Sequence, residues 1–140
     1  MRLTLFMLLY ISLSSFSTDY TLDEIYDVLI HVESNNNPEA IGDDGRAYGV
    51  LQIHSICVED INRLYNTEYT HQQAFNRIYS KQMFFLYLQY GIKRFKRRYS
   101  RSPTEGEVVR MWNGSVYSGY KKESTKKYYR RYLKFKKLLI

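Results

Sequence analysis

Three times along the chain a Thr is followed three residues later by Glu or Gln: Thr21 and Glu24, Thr70 and Gln73, Thr104 and Glu107. In such a pair the Thr hydroxyl accepts from a first-turn backbone N–H while the longer side chain reaches back to the Thr N–H, so each pair marks a helix start. Apolar residues then recur at helical spacing. After the first pair come Leu22, Ile25, Tyr26, Leu29 and Val32, with the helix ending near Glu33. The second opens the longest segment, with Ala74, Phe75, Ile78, Tyr79, Phe85 and Leu86 on one side and Gly91 as its expected stop. The third leads through Val108, Met111 and Trp112 to a break at Asn113 and Gly114. A short helix is expected over 58–65 with Ile61 and Leu64 inward, and Thr125 starts a last one carrying Tyr128, Tyr129, Tyr132, Phe135 and Leu139. Few residues suggest strands. The expected fold is mainly α, in one domain over 18–140.

At 140 residues, 44% apolar and 16% aromatic, the chain can close one core of its own. Its single Cys57 excludes an internal disulfide, and no Cys/His cluster has metal-ligand spacing; the thiol is expected in the core. Residues 1–17 read as an export signal, with an uncleaved membrane anchor or a first core helix as the alternative: Met1 and Arg2 lead into LTLFMLLYISL, too short to span a bilayer comfortably, and then into Ser14, Ser15, Phe16 and Ser17. The expected location is therefore outside the cytoplasm, in the periplasm, on the wall or secreted. Charge is divided: residues 18–90 hold 4 Lys/Arg against 11 Asp/Glu, and residues 91–140 hold 16 against 3.

Glu33 stands out. At about 100° per residue it lies within roughly 40° of Leu22, Tyr26 and Leu29, on the face the first helix buries. Burial disfavours its ionised form, and so does the negative end of the helix dipole. A carboxylic acid that keeps its proton near neutral pH can protonate a poor leaving group such as a glycosidic oxygen. From position alone a structural Glu, satisfied by backbone donors or an Arg, is the favoured explanation, since structural networks also perturb acids.

The stretches that follow point one way. ESNNNPEA, GRAYGVLQI, MWNGS and TKKYYRRY occur in the order and rough spacing of the soluble lytic transglycosylases, and from about Leu22 to Leu133 the chain resembles that family. The carrying residues are Glu33 and Ser34, Gly45 and Gly49, the apolar run around Gln52, Trp112 with Asn113 and Gly114, and Tyr128. Many members have Ser where Gly42 stands and Met where Leu51 stands, and their third motif usually has a small residue between Asn and Gly. The resemblance implies a lysozyme-like helical domain of the goose type with a substrate groove, Glu33 as general acid and base, and no cofactor or metal. Ser34, Tyr48, Gln52, Trp112, Asn113 and Tyr128 are the implied substrate contacts. Amides such as Gln52 and Asn113 both donate and accept, as sugar hydroxyl and N-acetyl groups require, and flat rings suit sugar faces. Gly45 and Gly49 are expected to let the backbone approach a bulky ligand.

The implied partner is the peptidoglycan glycan strand, cleaved between N-acetylmuramic acid and N-acetylglucosamine by a monomer, with a 1,6-anhydro product. A lysozyme-type hydrolase is the alternative; it would use water and a second carboxylate, for which Asp43 and Asp44 are nearest in sequence. A different class remains open from charge alone. GIKRFKRRYSR and YKKESTKKYYRRYLKFKK mix cations with aromatics, as a non-enzymatic binder of anionic wall or nucleic acid would. The cations of the last helix alternate with buried-type Tyr residues, which reads as a solvated face; wall attraction is expected, nucleic-acid binding is not.

Overall fold

The computed structural model describes residues 19–140, and the export signal expected over 1–17 lies outside the described residues. Five α-helices carry the domain: α1 (Leu22–Ser34), α2 (Ser55–Tyr65), α3 (Arg77–Tyr99), α4 (Glu105–Gly114) and α5 (Ser124–Leu139). A small antiparallel sheet, β1 (Ile41–Gly42), β2 (Ala47–Tyr48) and β3 (Ile53–His54), lies between α1 and α2. Its register pairs Ile41 with Tyr48 and Tyr48 with Ile53. Strands of two residues have no period for a sequence pattern to reveal, which is why they escape notice.

The first and third capping boxes form as expected. Thr21 and Glu24 close both bonds at the head of α1, and Thr104 and Glu107 do so at α4. The second does something else: Thr70 and Gln73 head a 3-10 turn, His71–Phe75. Asn76 then breaks the chain into extended backbone and caps α3 with its own side chain, accepting from the N–H groups of Ile78 and Tyr79. The helical phase counted from Ala74 therefore does not continue into α3. Its inward residues are Met83, Phe84, Tyr87, Leu88 and Phe95, whereas Ile78 and Tyr79 are exposed, contrary to expectation.

Gly91 does not stop α3. The helix runs on to Tyr99 because Gly91 faces Val116, where a Cβ would come within 2.9 Å of the Val116 side chain. It is a crossing point for the turn after α4 rather than a terminus. The 58–65 helix likewise starts earlier, at Ser55.

Leu29 and Ile25 of α1, Phe84 and Leu88 of α3, Val108 and Met111 of α4 and Tyr132 of α5 meet in one core. Removing such side chains from water supplies about 1.5–3 kcal/mol each. Helix α5 has no side-chain cap at Glu123; buried Thr125 ties its first turn instead, donating to the Gly119 carbonyl at 2.7 Å and accepting from Arg110 Nε at 2.9 Å. At the other end of α5, Tyr132 and Lys136 both donate to Glu105 Oε1, at 2.7 and 2.6 Å. These ties fix α5 to α4 and to the turn that follows α4. No helix among the described residues is long and apolar enough to cross a membrane.

Candidate active site

The last turn of α1 delivers Glu33 to the floor of a groove of about 440 Å³. The sheet forms one wall, through Asp43, Gln52 and His54, and α4 with the turn after it forms the other, through Trp112, Asn113 and Ser115. Helix α1 ends because Asn35 takes a left-handed conformation, φ 52°, and its N–H closes on the His31 carbonyl. The acid thus sits in the last turn, one residue before the helix ends.

Burial is the main influence on Glu33, and it pushes the carboxyl from the usual carboxylate range up to about 7. Three groups pull the other way: a hydrogen bond donated by the Tyr128 hydroxyl, the Trp112 indole, and the positive charge of Arg131. Burial also drives the Tyr128 phenol well above its ordinary value, with the neighbouring Glu33 charge adding to it, so Tyr128 remains a donor. Trp112, which lines the groove, is held edge-on against Phe84 (5.1 Å) and Tyr87 (6.1 Å).

Gln52 sits in left-handed backbone, φ 51°, and its amide nitrogen donates to the carbonyls of Ala40 (3.2 Å) and Gly49 (2.9 Å). Its Oε1 fills the space beside Gly42, where a Cβ would lie only 2.1 Å away. Gln52 can therefore accept from a ligand but has no amide hydrogen to spare. Asn113, by contrast, is exposed at the rim and makes no side-chain hydrogen bond among the described residues, which leaves both its donor and acceptor open.

Not every residue singled out from sequence reaches the groove. Ser34 shares its hydroxyl hydrogen between the Val50 (2.9 Å) and Ile30 (3.2 Å) carbonyls and accepts from Asn37 N–H (3.1 Å), so it pins the loop after α1. Tyr48 stacks on His71 at 3.8 Å and on Phe75 at 4.6 Å, away from the cavity. Tyr128 stands behind Glu33 rather than along the lining. Gly49, φ 76°, meets backbone: a Cβ there would fall 2.0 Å from the Ala74 carbonyl oxygen, so its close approach is to the 3-10 turn and not to a ligand. Nothing lies within 4 Å of a Cβ built on Gly45.

Other lining residues carry weaker sequence signals. Asp43 bonds Arg46 at 2.8 Å and His54 Nε2 at 3.2 Å, and all three surround one tight turn between β1 and β2. His54 follows the Gln52 motif directly, but the register of β3 sets its place on the groove. Tyr87 is reached only once the phase of α3 is known. Cys57 is half-buried in the wall rather than deep in the core, and burial pushes its thiol up to about 12, so it stays protonated. No group of three or more His, Cys, Asp or Glu side chains among the described residues converges as a metal site.

A rigid acid near neutrality, a phenol fixed behind it and amides along the walls can protonate a bound ether oxygen and hold a polyhydroxylated chain. Comparison with protein-family models, curated proteins and solved structures gives no match for this chain.

Proposed function

We propose that the protein is a peptidoglycan lytic transglycosylase with a lysozyme-like helical domain, acting outside the cytoplasm. The observation that carries this reading is the convergence on one groove of Glu33, Gln52 and Asn113, with Tyr128 bonded to Glu33. These come from four stretches of sequence that separately resemble that family.

In this reading protonated Glu33 gives its hydrogen to the oxygen joining N-acetylmuramic acid to N-acetylglucosamine. As that bond breaks, the substrate's own N-acetyl group shares the positive charge at C1. Ionised Glu33, steadied by Tyr128 and the Trp112 indole, then takes the proton from the muramoyl 6-hydroxyl as it attacks C1. The products are a 1,6-anhydro end and a free N-acetylglucosamine 4-hydroxyl, and Glu33 is protonated again. No enzyme nucleophile is required.

A hydrolase is the second reading, favoured by Asp43, a second carboxylate on the same groove. Mass spectrometry of fragments released from purified sacculi separates the two: anhydro ends support the transglycosylase, reducing ends the hydrolase. Intact sacculi at neutral and mildly acidic pH would overturn both.

A further inference from the structure

Beyond the groove, the C-terminal part of α3 presents Arg94, Arg97 and Arg98 around a cavity of about 350 Å³ lined by these three side chains. None of them forms an ion pair with a carboxylate among the described residues, whereas Arg46, Arg63 and Arg101 each do. The negative end of the α3 dipole accounts for cations near that terminus. It does not account for three of them bordering one surface hollow.

The hollow is coupled to the groove by three consecutive residues. Ser115 lines the groove, Val116 seats on Gly91 of α3, and the Tyr117 ring lies under the Arg94 guanidinium at 5.4 Å. Two residues of chain span at most about 7 Å, and the Tyr117 ring carries the contact on to Arg94, so the arginines lie beyond the Ser115 end of the groove. The helix gives the same direction: Arg94 is seven residues beyond groove-lining Tyr87, about 20° around and about 10 Å along the axis. Arg98 stacks near Tyr99 at 5.7 Å. Guanidinium planes laid on rings keep their N–H edges outward, where they can bind carboxylates bidentately.

We propose that Arg94, Arg97 and Arg98 form an anion subsite at the Ser115 end of the groove, which takes carboxylates of the peptides carried by the glycan strand. The inference rests on the peptidoglycan reading of the groove and adds that peptide-bearing strands, not bare glycan, are the preferred substrate. A strand fixed over Glu33 continues past Ser115, and its muramoyl peptide is the anionic group it brings there.

The test compares the parent with the R94Q/R97Q/R98Q variant on peptide-bearing strands and on strands stripped by an amidase. All three side chains are at least partly solvent-accessible, and an unchanged thermal melt checks the fold. Losing charge-assisted contacts should raise KM for peptide-bearing strands about tenfold, with kcat retained and no change on stripped strands. Equal losses on both substrates, or no loss on either, overturn the subsite. If the parent cleaves neither, the transglycosylase reading falls, and calorimetric titration with a soluble disaccharide tetrapeptide judges the subsite by itself. Binding weakened about tenfold in the variant supports it. Absent or unaffected binding overturns it, as does capture of a glycerol-phosphate polymer by the arginines in place of the peptide.

Discussion

The Tyr128 hydroxyl donates to Glu33 Oε1 across 95 positions of sequence, joining the last helix to the end of the first. Burial raises the Glu33 carboxyl to about 7 against the pull of this bond, so Tyr128 holds the acid lower than its surroundings alone would. Removing the hydroxyl in Tyr128→Phe should therefore raise it further. In the proposed reaction protonated Glu33 is the active form, so the alkaline limb of kcat/KM should fall at about 7 in the parent. In the variant it should move up by about one pH unit, the size of a hydrogen bond to a charged group. A pH profile of sacculus solubilisation reads this directly, and an unmoved limb would show that Tyr128 does not tune the acid.

Glu33 also makes stability depend on pH. Folded Glu33 keeps its proton up to about 7, against an ordinary value of 4.5. Between those values the folded state binds the extra proton, so the contribution is complete below the lower value and is lost as pH rises through the upper one. The loss amounts to roughly 3 kcal/mol. Gln cannot ionise, so Glu33→Gln should be more stable than the parent at pH 8 and similar to it at pH 4. Its turnover should drop by two orders of magnitude or more, as expected for removal of an acid–base catalyst, about 10²- to 10⁴-fold. Urea titrations at both pH values check the first outcome; a stability difference independent of pH would show that the fold does not oppose ionisation.

Asp43 separates the two reactions. It bridges Arg46 and His54 on the sheet side of the groove. In a transglycosylase the substrate hydroxyl replaces water, so Asp43→Asn should change turnover only a few-fold, about 1 kcal/mol or less of barrier, with anhydro products throughout. A hundredfold loss together with reducing-end products in the parent would assign Asp43 the water and make the enzyme a hydrolase.

The helices were legible where a local signal and the core agreed. Thr21 with Glu24 and Thr104 with Glu107 cap what they announce, and the apolar spacing after each meets the core. The inward placement of Glu33 followed from the same spacing. Thr70 with Gln73 misled because a capping box is satisfied equally by a 3-10 turn, and Asn76 then resets the phase. Gly91 misled because its missing side chain serves Val116, a contact that no local pattern encodes. The same holds at the site. Ser34 and Tyr48 stand beside groove residues in sequence, yet backbone carbonyls and the His71 and Phe75 rings occupy them. His54 and Tyr87 reach the groove through strand register and helix phase, which only the packed chain fixes.

Gly42 offers a test of how the sheet wall is built. A Cβ at this position would lie 2.1 Å from Gln52 Oε1, and 4.0 Å from the Ala47 Cβ. The amide is the far end of a flexible side chain and can swing away, so Gly42→Ser need not disrupt the backbone. Swinging breaks the bonds from Gln52 to the Ala40 and Gly49 carbonyls, however, and those bonds tie the residue before β1 to the turn between β2 and β3. Two such bonds are worth about 1 kcal/mol each, so Gly42→Ser should destabilise by about 2 kcal/mol and lower turnover by withdrawing an acceptor from the groove. Gln52→Ala should lose the same bonds while clearing the space, so the serine should then cost much less. The two losses should therefore be strongly non-additive, with a coupling of about 1–2 kcal/mol in a double-mutant cycle by urea denaturation. Additive losses would show that the serine is resisted by something other than the Gln52 amide.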